Sequence, residues 1–154
     1  MIFITLGSQK FQFNRLLKVV DELNIDEEIF AQTGYSDYSP VHYKYKSFLD
    51  RDEFAEIMSK ADIVITHGGT GAIISAVKMG KKVIAVPRLA KYGEHVDDHQ
   101  IQLVNQFKEL NLIYACEDMD LNRALDIVKK TEYKKYESNT QTIIDNIERY
   151  IEGD

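Results

Sequence analysis

The sequence predicts an α/β domain with a doubly wound parallel sheet. Three observations carry that expectation. Short apolar runs of strand length alternate with stretches of helical periodicity, five or six times along the chain. The strand candidates are continuously apolar, as in Ile63-Val64-Ile65, which suits strands covered on both faces. Glycine and polar turn residues end most of these runs.

Residues 2–6 read as a buried strand turned at Gly7-Ser8, and Phe13, Leu17, Val20 and Leu23 then fall at helical spacing. Residues 29–32 form a second strand ending at Thr33-Gly34, followed by a polar, tyrosine-bearing loop over 34–40 and a strand over 43–48. Asp50 and Glu53 have capping-box spacing, with Phe54, Ile57, Met58 and Ala61 on one helix face behind them. Residues 62–66 are a β-branched strand, and the helix after it runs to Met79, with Gly80 as its stop signal. A strand over 83–86 ends at Pro87, and Ile101, Val104, Phe107 and Leu110 mark the next helix. Residues 112–115 make the last strand, Asp120 caps a helix reaching Lys129, and Ile143, Ile144, Ile147 and Ile151 stripe a terminal helix over about 139–152.

The chain has 154 residues, enough for one domain over 1–154 with a sizeable core. Its composition, 44% hydrophobic and 29% charged, excludes collagen-like, disordered and disulfide-scaffold classes. The net charge of −6 argues against a nucleic-acid partner, so any anion must be bound by local geometry rather than by the overall field. A single cysteine, Cys116, excludes an intrachain disulfide and a cysteine zinc site; it reads as a small buried residue at a strand end. The apolar run at 1–6 is too short for a signal peptide or a membrane span, so a cytoplasmic location is expected.

In a doubly wound sheet, ligands sit beyond the carboxyl ends of the strands. The strongest signal there is Thr66-His67-Gly68-Gly69-Thr70-Gly71, which leaves a strand and enters a helix. Glycines let the backbone approach a ligand, and the first helical turn offers unpaired N–H groups at the positive end of a dipole. Together these suit a diphosphate without any net positive charge; the alternative is a plain tight turn. The sequence is neither a Walker A motif nor a GxGxxG fingerprint. Gly7-Ser8-Gln9 stands at a second strand-to-helix exit, where Ser8 can offer a hydroxyl and an N–H. In residues 87–100, Arg88 and Lys91 can offset anionic charge, Glu94, Asp97 and Asp98 can accept from sugar hydroxyls, and His99 and Gln100 open the next helix. Asp97 can equally be an ordinary helix N-terminal carboxylate. His95 and His99 are four apart beside Asp98, but no HExxH pattern or cysteine accompanies them, so no metal is expected. His42 reads as a surface residue, and no GxSxG supports a nucleophilic triad.

The ordered set GSQ, Gln-Thr-Gly after a strand, Phe48, Ala-Asp before a strand, HGGTG, Gly80-Lys81-Lys82-Val83-Ile84-Ala85-Val86-Pro87 and Asp98-His99-Gln100 resembles family 28 glycosyltransferases, which include the MurG-like peptidoglycan enzyme. The resemblance is to their C-terminal, donor-binding half and covers about residues 2–110. It implies a Rossmann-like domain equivalent to the C-terminal half of a two-lobed GT-B enzyme. The run Pro87-Arg88-Leu89-Ala90-Lys91-Tyr92-Gly93-Glu94-His95, followed by Asp98-His99-Gln100, is most similar to the PssE-type subunit of two-subunit bacterial exopolysaccharide and capsule transferases.

What the resemblance implies is a donor-binding, catalytic subunit of an inverting hexosyltransferase. It would move a hexose from a UDP-sugar to a lipid-diphosphate-linked saccharide at the cytoplasmic membrane face. Gly7, Ser8, Gln9 and residues 68–71 would meet the diphosphate, Phe48 the uracil, and His99 and Gln100 the sugar. A glutamate that holds the ribose in MurG-like enzymes aligns with Ser75; Glu94 or Asp98 would have to compensate. The catalytic base is expected on a PssD-type, membrane-anchored acceptor-lobe partner, with His67 and His99 as local substitutes. No cofactor or metal is expected beyond the UDP-sugar, with Arg88 assisting the leaving group. The terminal helix, with Ile143, Ile147 and Ile151, is the expected docking element, unless its stripe packs on its own domain. Alternative readings are a non-catalytic nucleotide-sugar-binding accessory subunit and a UDP-sugar epimerase.

Overall fold

The computed structural model describes residues 1–137 and 140–151; of residues 140, 141, 147, 148, 150 and 151 it describes the backbone alone. The elements in order are β1 (Ile2–Thr5), α1 (Asn14–Asp21), β2 (Ile29–Gln32), β3 (Lys44–Lys46), α2 (Arg51–Lys60), β4 (Ile63–His67), α3 (Thr70–Lys78), β5 (Lys82–Val86), α4 (His99–Glu109), β6 (Tyr114–Ala115), α5 (Leu121–Lys130) and α6 (Thr140–Ile151), with a 3-10 turn at Ala90–Tyr92. The six strands form one sheet in the order β3-β2-β1-β4-β5-β6. Every pair is parallel. The fold is the Rossmann-like, doubly wound class that the alternating pattern predicts.

Continuous apolar strands are needed because both faces are covered. Ile2 and Ile4 of β1, Ile63 and Ile65 of β4, and Ile84 and Val86 of β5 face a core shared with Leu17 of α1 and Leu125 of α5. The residues between them, Phe3, Val64, Val83 and Ala85, face a second core with Met58 of α2, Ile73 of α3 and Val104 and Phe107 of α4. The period-2 alternation of strand side chains thus feeds two layers of helices.

Local signals act as their chemistry dictates. Asp50 Oδ1 accepts from Glu53 N at 2.8 Å, and Asp50 N donates back to Glu53 Oε1 at 3.4 Å, closing the capping box. Asp120 Oδ1 accepts from Arg123 N at 3.1 Å. Gly80 follows α3 with φ +74°, the left-handed end that glycine permits.

Three elements are shorter than the periodicity predicts. β3 keeps only three residues, all exposed, because Tyr43 turns inward and donates its hydroxyl to Leu17 O at 2.9 Å. β6 keeps two, because Leu112 and Ile113 are drawn into the second core before the ladder begins. Phe13 is the N-cap of α1 rather than part of it, and its ring is buried. The terminal stripe divides. Ile144 is buried in the second core where α6 meets α4, so it packs on its own domain, while Ile143 is partly exposed. The side chains of Ile147 and Ile151 lie outside the described residues.

Candidate functional site

β1 and β4 are neighbours, but the helices that follow them lie on opposite faces of the sheet. Their carboxyl ends therefore bound a crevice where the direction of winding reverses. Gly7 stands on one side of it and the loop at 68–71 on the other. Gly7 has φ +71°. The N-cap of α3 is Gly69, which supplies no side-chain cap, and Ile73 N is the amide that returns to Gly69 O at 3.2 Å. The amides of Thr70, Gly71 and Ala72 therefore open outward at the positive end of the helix dipole.

The two loops meet on the ring of His67. A Cβ added at Gly7 would lie 2.6 Å from His67 Nε2, and one at Gly69 would lie 2.3 Å from His67 Cε1. Glycine is required at both positions because an imidazole fills the space a methyl would need. At Gly71, by contrast, an added Cβ meets nothing within 4 Å.

His67 is buried, and the motif that singled it out does not present it freely. Its Nδ1 accepts from Arg88 Nε at 3.1 Å and lies 3.4 Å from Gln100 Nε2. With donors converging on Nδ1, the ring proton belongs on Nε2. Burial, with Arg88⁺ nearby, pushes the pKa down to about 3, so the ring is neutral at ordinary pH. A group so reluctant to take a proton is a poor general base, which removes His67 from the substitutes for that role.

Arg88 also departs from expectation. It is 1% exposed, and its guanidinium is spent on backbone. Nη2 donates to Leu6 O at 2.7 Å, and Nη1 reaches Phe11 O, Gln12 O and Glu94 O at 3.1 to 3.3 Å. It ties the loop after β1 to the loop after β5 and does not face the crevice. Burial lowers its pKa to about 10, which leaves it charged.

Glu94 is fully buried as well, so it is not the sugar acceptor or ribose substitute the sequence suggested. It accepts from Arg15 Nε at 2.9 Å, Arg15 Nη2 at 2.8 Å and Leu89 N at 2.9 Å. No motif pointed to Arg15; its only sequence signal is a cation on the first turn of α1. Gln100 is buried and accepts with Oε1 from Gly68 N at 3.0 Å and Arg88 N at 2.9 Å. In this arrangement it supports the glycine loop from behind instead of reaching a sugar.

The residues that remain accessible form the crevice and its rim. Ser8, Gln9 and Gly71 are exposed, and Gly7, Gly69 and Thr70 are half-buried. Ser75 is exposed, but its hydroxyl donates to Gly71 O at 2.8 Å, so the position offers oxygen lone pairs only. Phe48 is half-exposed in an edge-to-face pair with Tyr35, ring centroids 5.1 Å apart, beyond β2 and β3. Tyr35 adds a second aromatic face that the polar loop at 34–40 concealed. Asp98 accepts from Ala90 N at 2.8 Å, and His99 sits beside Asp97 at the start of α4. Lys91 is exposed over Tyr92. His42 is exposed as expected, but its Nδ1 pairs with the buried Asp21 carboxylate. Cys116 is buried, its thiol pushed up to about 12, which suits an inert packing role.

Two hollows, of about 420 and 620 Å³, flank residues 80–82 at the opposite end of the sheet, away from every candidate residue.

The family model described as the glycosyltransferase family 28 C-terminal domain matches residues 1–152. A UDP-N-acetylglucosamine transferase subunit ALG13 from Kluyveromyces lactis is 31% identical over 84 residues, covering 53% of this chain and 41% of the relative. A UDP-N-acetylglucosamine–N-acetylmuramyl-(pentapeptide) pyrophosphoryl-undecaprenol N-acetylglucosamine transferase from Clostridium kluyveri is 27% identical over 156 residues, covering 89% of this chain and 41% of the relative. The chain thus spans about two-fifths of the length of either relative. Among solved structures, that of ALG13 superposes with a TM-score of 0.61 at 18% identity, covering 97% of this chain and 94% of that one. MurG from Acinetobacter baumannii superposes at 0.56, also at 18% identity, with 95% of this chain matching 49% of that one. These likenesses establish the GT-B type of α/β fold.

Proposed function

This chain belongs to the glycosyltransferase family 28 C-terminal domain family, and from that premise we propose that it is the donor-binding part of a UDP-sugar-dependent hexosyltransferase. One observation carries the reading: the uncapped N-terminus of α3 opens onto the β1/β4 crevice, with the φ-positive Gly7 opposite. Amides of residues 69–72 would take the diphosphate, and the same dipole would stabilise the UDP leaving group as the sugar departs. Ser8 and Gln9 would close the other side. Phe48, with Tyr35 beside it, would border the uracil, and His99 would meet the sugar.

Partner dependence belongs to the same proposal. The relatives named as transferase subunits support a second, acceptor-binding lobe, and so does the exposed crevice of a domain that matches half of MurG. With His67 neutral and occupied, the base that deprotonates the acceptor is assigned to that partner, with His99 the remaining local candidate. The partner is proposed as a PssD-type, membrane-anchored subunit. The acceptor is proposed as a lipid-diphosphate-linked saccharide at the cytoplasmic face, in exopolysaccharide or capsule assembly. Among the described residues no helix is long and apolar enough to cross a membrane, so membrane contact would come through the partner. The absence of a carboxylate at Ser75 favours one second reading, a nucleotide-sugar-binding accessory subunit.

Backbone amide NMR during a UDP titration tests the site. The proposal expects saturable shifts at Gly7 and residues 69–72; shifts confined to other surfaces would overturn it. Sugar transfer assayed with and without the acceptor lobe then separates the catalytic from the accessory reading.

A further inference from the structure

Residues 95–99 bring together three metal-ligating side chains that the transferase reading does not need as a group. His95, Asp97 and His99 each present one ligand atom, and these three atoms lie within 4.8 Å of one another. Asp97 Oδ1 is the pivot. It lies 3.3 Å from His95 Nδ1 and is hydrogen-bonded to His99 Nδ1. The sequence paired the histidines with Asp98, but that carboxylate is taken by Ala90 N.

We infer that His95, Asp97 and His99 form a binding site for one zinc-class divalent ion at the N-terminus of α4. Three ligands at about 2.0–2.1 Å from a tetrahedral ion stand roughly 3.3 Å apart. The three ligand atoms, all within 4.8 Å of one another, stand near that spacing. Two imidazoles and one carboxylate form a nitrogen-rich set that suits zinc, cobalt or nickel; magnesium and calcium want oxygen. In the ion-free chain a single carboxylate oxygen lies against both ring nitrogens. The ion would replace that interaction, and also the 3.4 Å bond that His95 Nδ1 accepts from Asp97 N, with each ring donating a lone pair from Nδ1.

The surroundings already orient the ligands. His99 N donates to Asp97 Oδ1 at 3.1 Å, fixing the carboxylate. The His95 side chain is 8% exposed and packs near Phe11, with ring centroids 5.7 Å apart, so it is held without the ion. The His95 and His99 rings are 4.7 Å apart. Three protein ligands leave a fourth position for water or an oxygen of a ligand. Because His95 touches the loop after β1 and His99 begins α4, the ion would fasten the rim of the crevice.

This site does not rest on the transferase reading, although an ion held by His99 would remove that ring from the base candidates and leave the base to the partner alone; its test needs neither nucleotide nor partner. The probes are Zn²⁺, for calorimetry, and Co²⁺, for visible absorption, each titrated into the untagged, metal-stripped full chain near neutral pH. The expected result is one equivalent bound with micromolar affinity, with intense d–d bands for Co²⁺. D97N and H99Q should each weaken binding by about tenfold or more, and H42Q, which alters a histidine outside the cluster that pairs with Asp21, should not. Asp97 is an exposed side chain, so D97N keeps the fold, and circular dichroism verifies that. No saturable binding, or equal affinity in wild type, D97N and H99Q, would overturn the assignment.

Discussion

Arg88 Nε donates to His67 Nδ1 across 3.1 Å, and both side chains are buried. The bond fixes a neutral ring between the two glycine turns. Burial of the ring, with the charge of Arg88 adding to it, makes the fold acid-sensitive. Unfolded, His67 titrates near about 6.5; folded, its pKa is down at about 3. Above the unfolded value both states are neutral and the group contributes no pH dependence. As pH falls below it, the unfolded chain takes up a proton that the folded chain refuses, and stability declines until the folded pKa is reached. Linkage limits that decline to about 1.4 kcal/mol per pH unit. Urea unfolding between pH 7 and pH 5 should therefore cost the wild type about 2 kcal/mol more than it costs H67Q. Equal losses in the two proteins would remove His67 as the cause.

Gly71 and Gly69 are two residues apart and should respond in opposite ways. At Gly71 an added Cβ enters open space, and alanine is the better helix former by about 0.5–1 kcal/mol. G71A should hold or raise the melting temperature while weakening UDP binding several-fold, because the methyl stands over the amides at the helix mouth. G69A pushes a Cβ to 2.3 Å from His67 Cε1 and should cost about 1–3 kcal/mol of stability before any ligand is added. Calorimetry with UDP and thermal melts on both variants would check the contrast; undiminished UDP affinity in G71A would count against the diphosphate site.

Much of this organisation was legible in the residues. The unbroken apolar strands required two covered faces, and Phe3 and Ile4 do enter opposite cores. The glycines marked the strand exits that the sheet brings to one crevice. Burial of the charged and polar candidates was not legible. Arg88, Glu94 and Gln100 stand in a loop whose local pattern suits an exposed ligand site equally well. Their partners, Leu6, Arg15 and Gly68, are 82, 79 and 32 residues away in sequence. Contacts at such separations leave no local periodicity to read. The same holds for Tyr43 and Leu112, whose burial shortens β3 and β6.

Glu94 and Arg15 should behave as a structural pair. The carboxylate is fully buried and the guanidinium mostly so, and two nitrogens meet two oxygens. Removing one partner of such a pair costs about 3–5 kcal/mol, because the other charge stays behind in a poor solvent. E94A and R15A should each lose about that much in urea unfolding, and the double variant should lose less than the sum by about 1–3 kcal/mol. Additive losses would mean that the two side chains act independently. UDP affinity, measured where each variant is fully folded, should change little, since neither side chain lines the crevice.

Ser75 is where the ribose reading can be tested by addition rather than loss. It lies on the exposed face of α3, one turn beyond the helix mouth, and its hydroxyl bonds to Gly71 O within its own helix. Helical side chains lean toward the N-terminus, so a longer residue at this position reaches over the mouth. S75E places at this position the carboxylate that the family resemblance implies for MurG-like enzymes, at no cost in helix propensity. If the ribose lies against this turn, a glutamate accepting from its hydroxyls should tighten UDP binding several-fold, and 2′-deoxy-UDP should gain less. The added negative charge opposes a diphosphate at the same helix end. A net gain therefore requires hydroxyl contacts strong enough to outweigh that repulsion, and a uniform loss for both nucleotides would place the ribose elsewhere on the crevice.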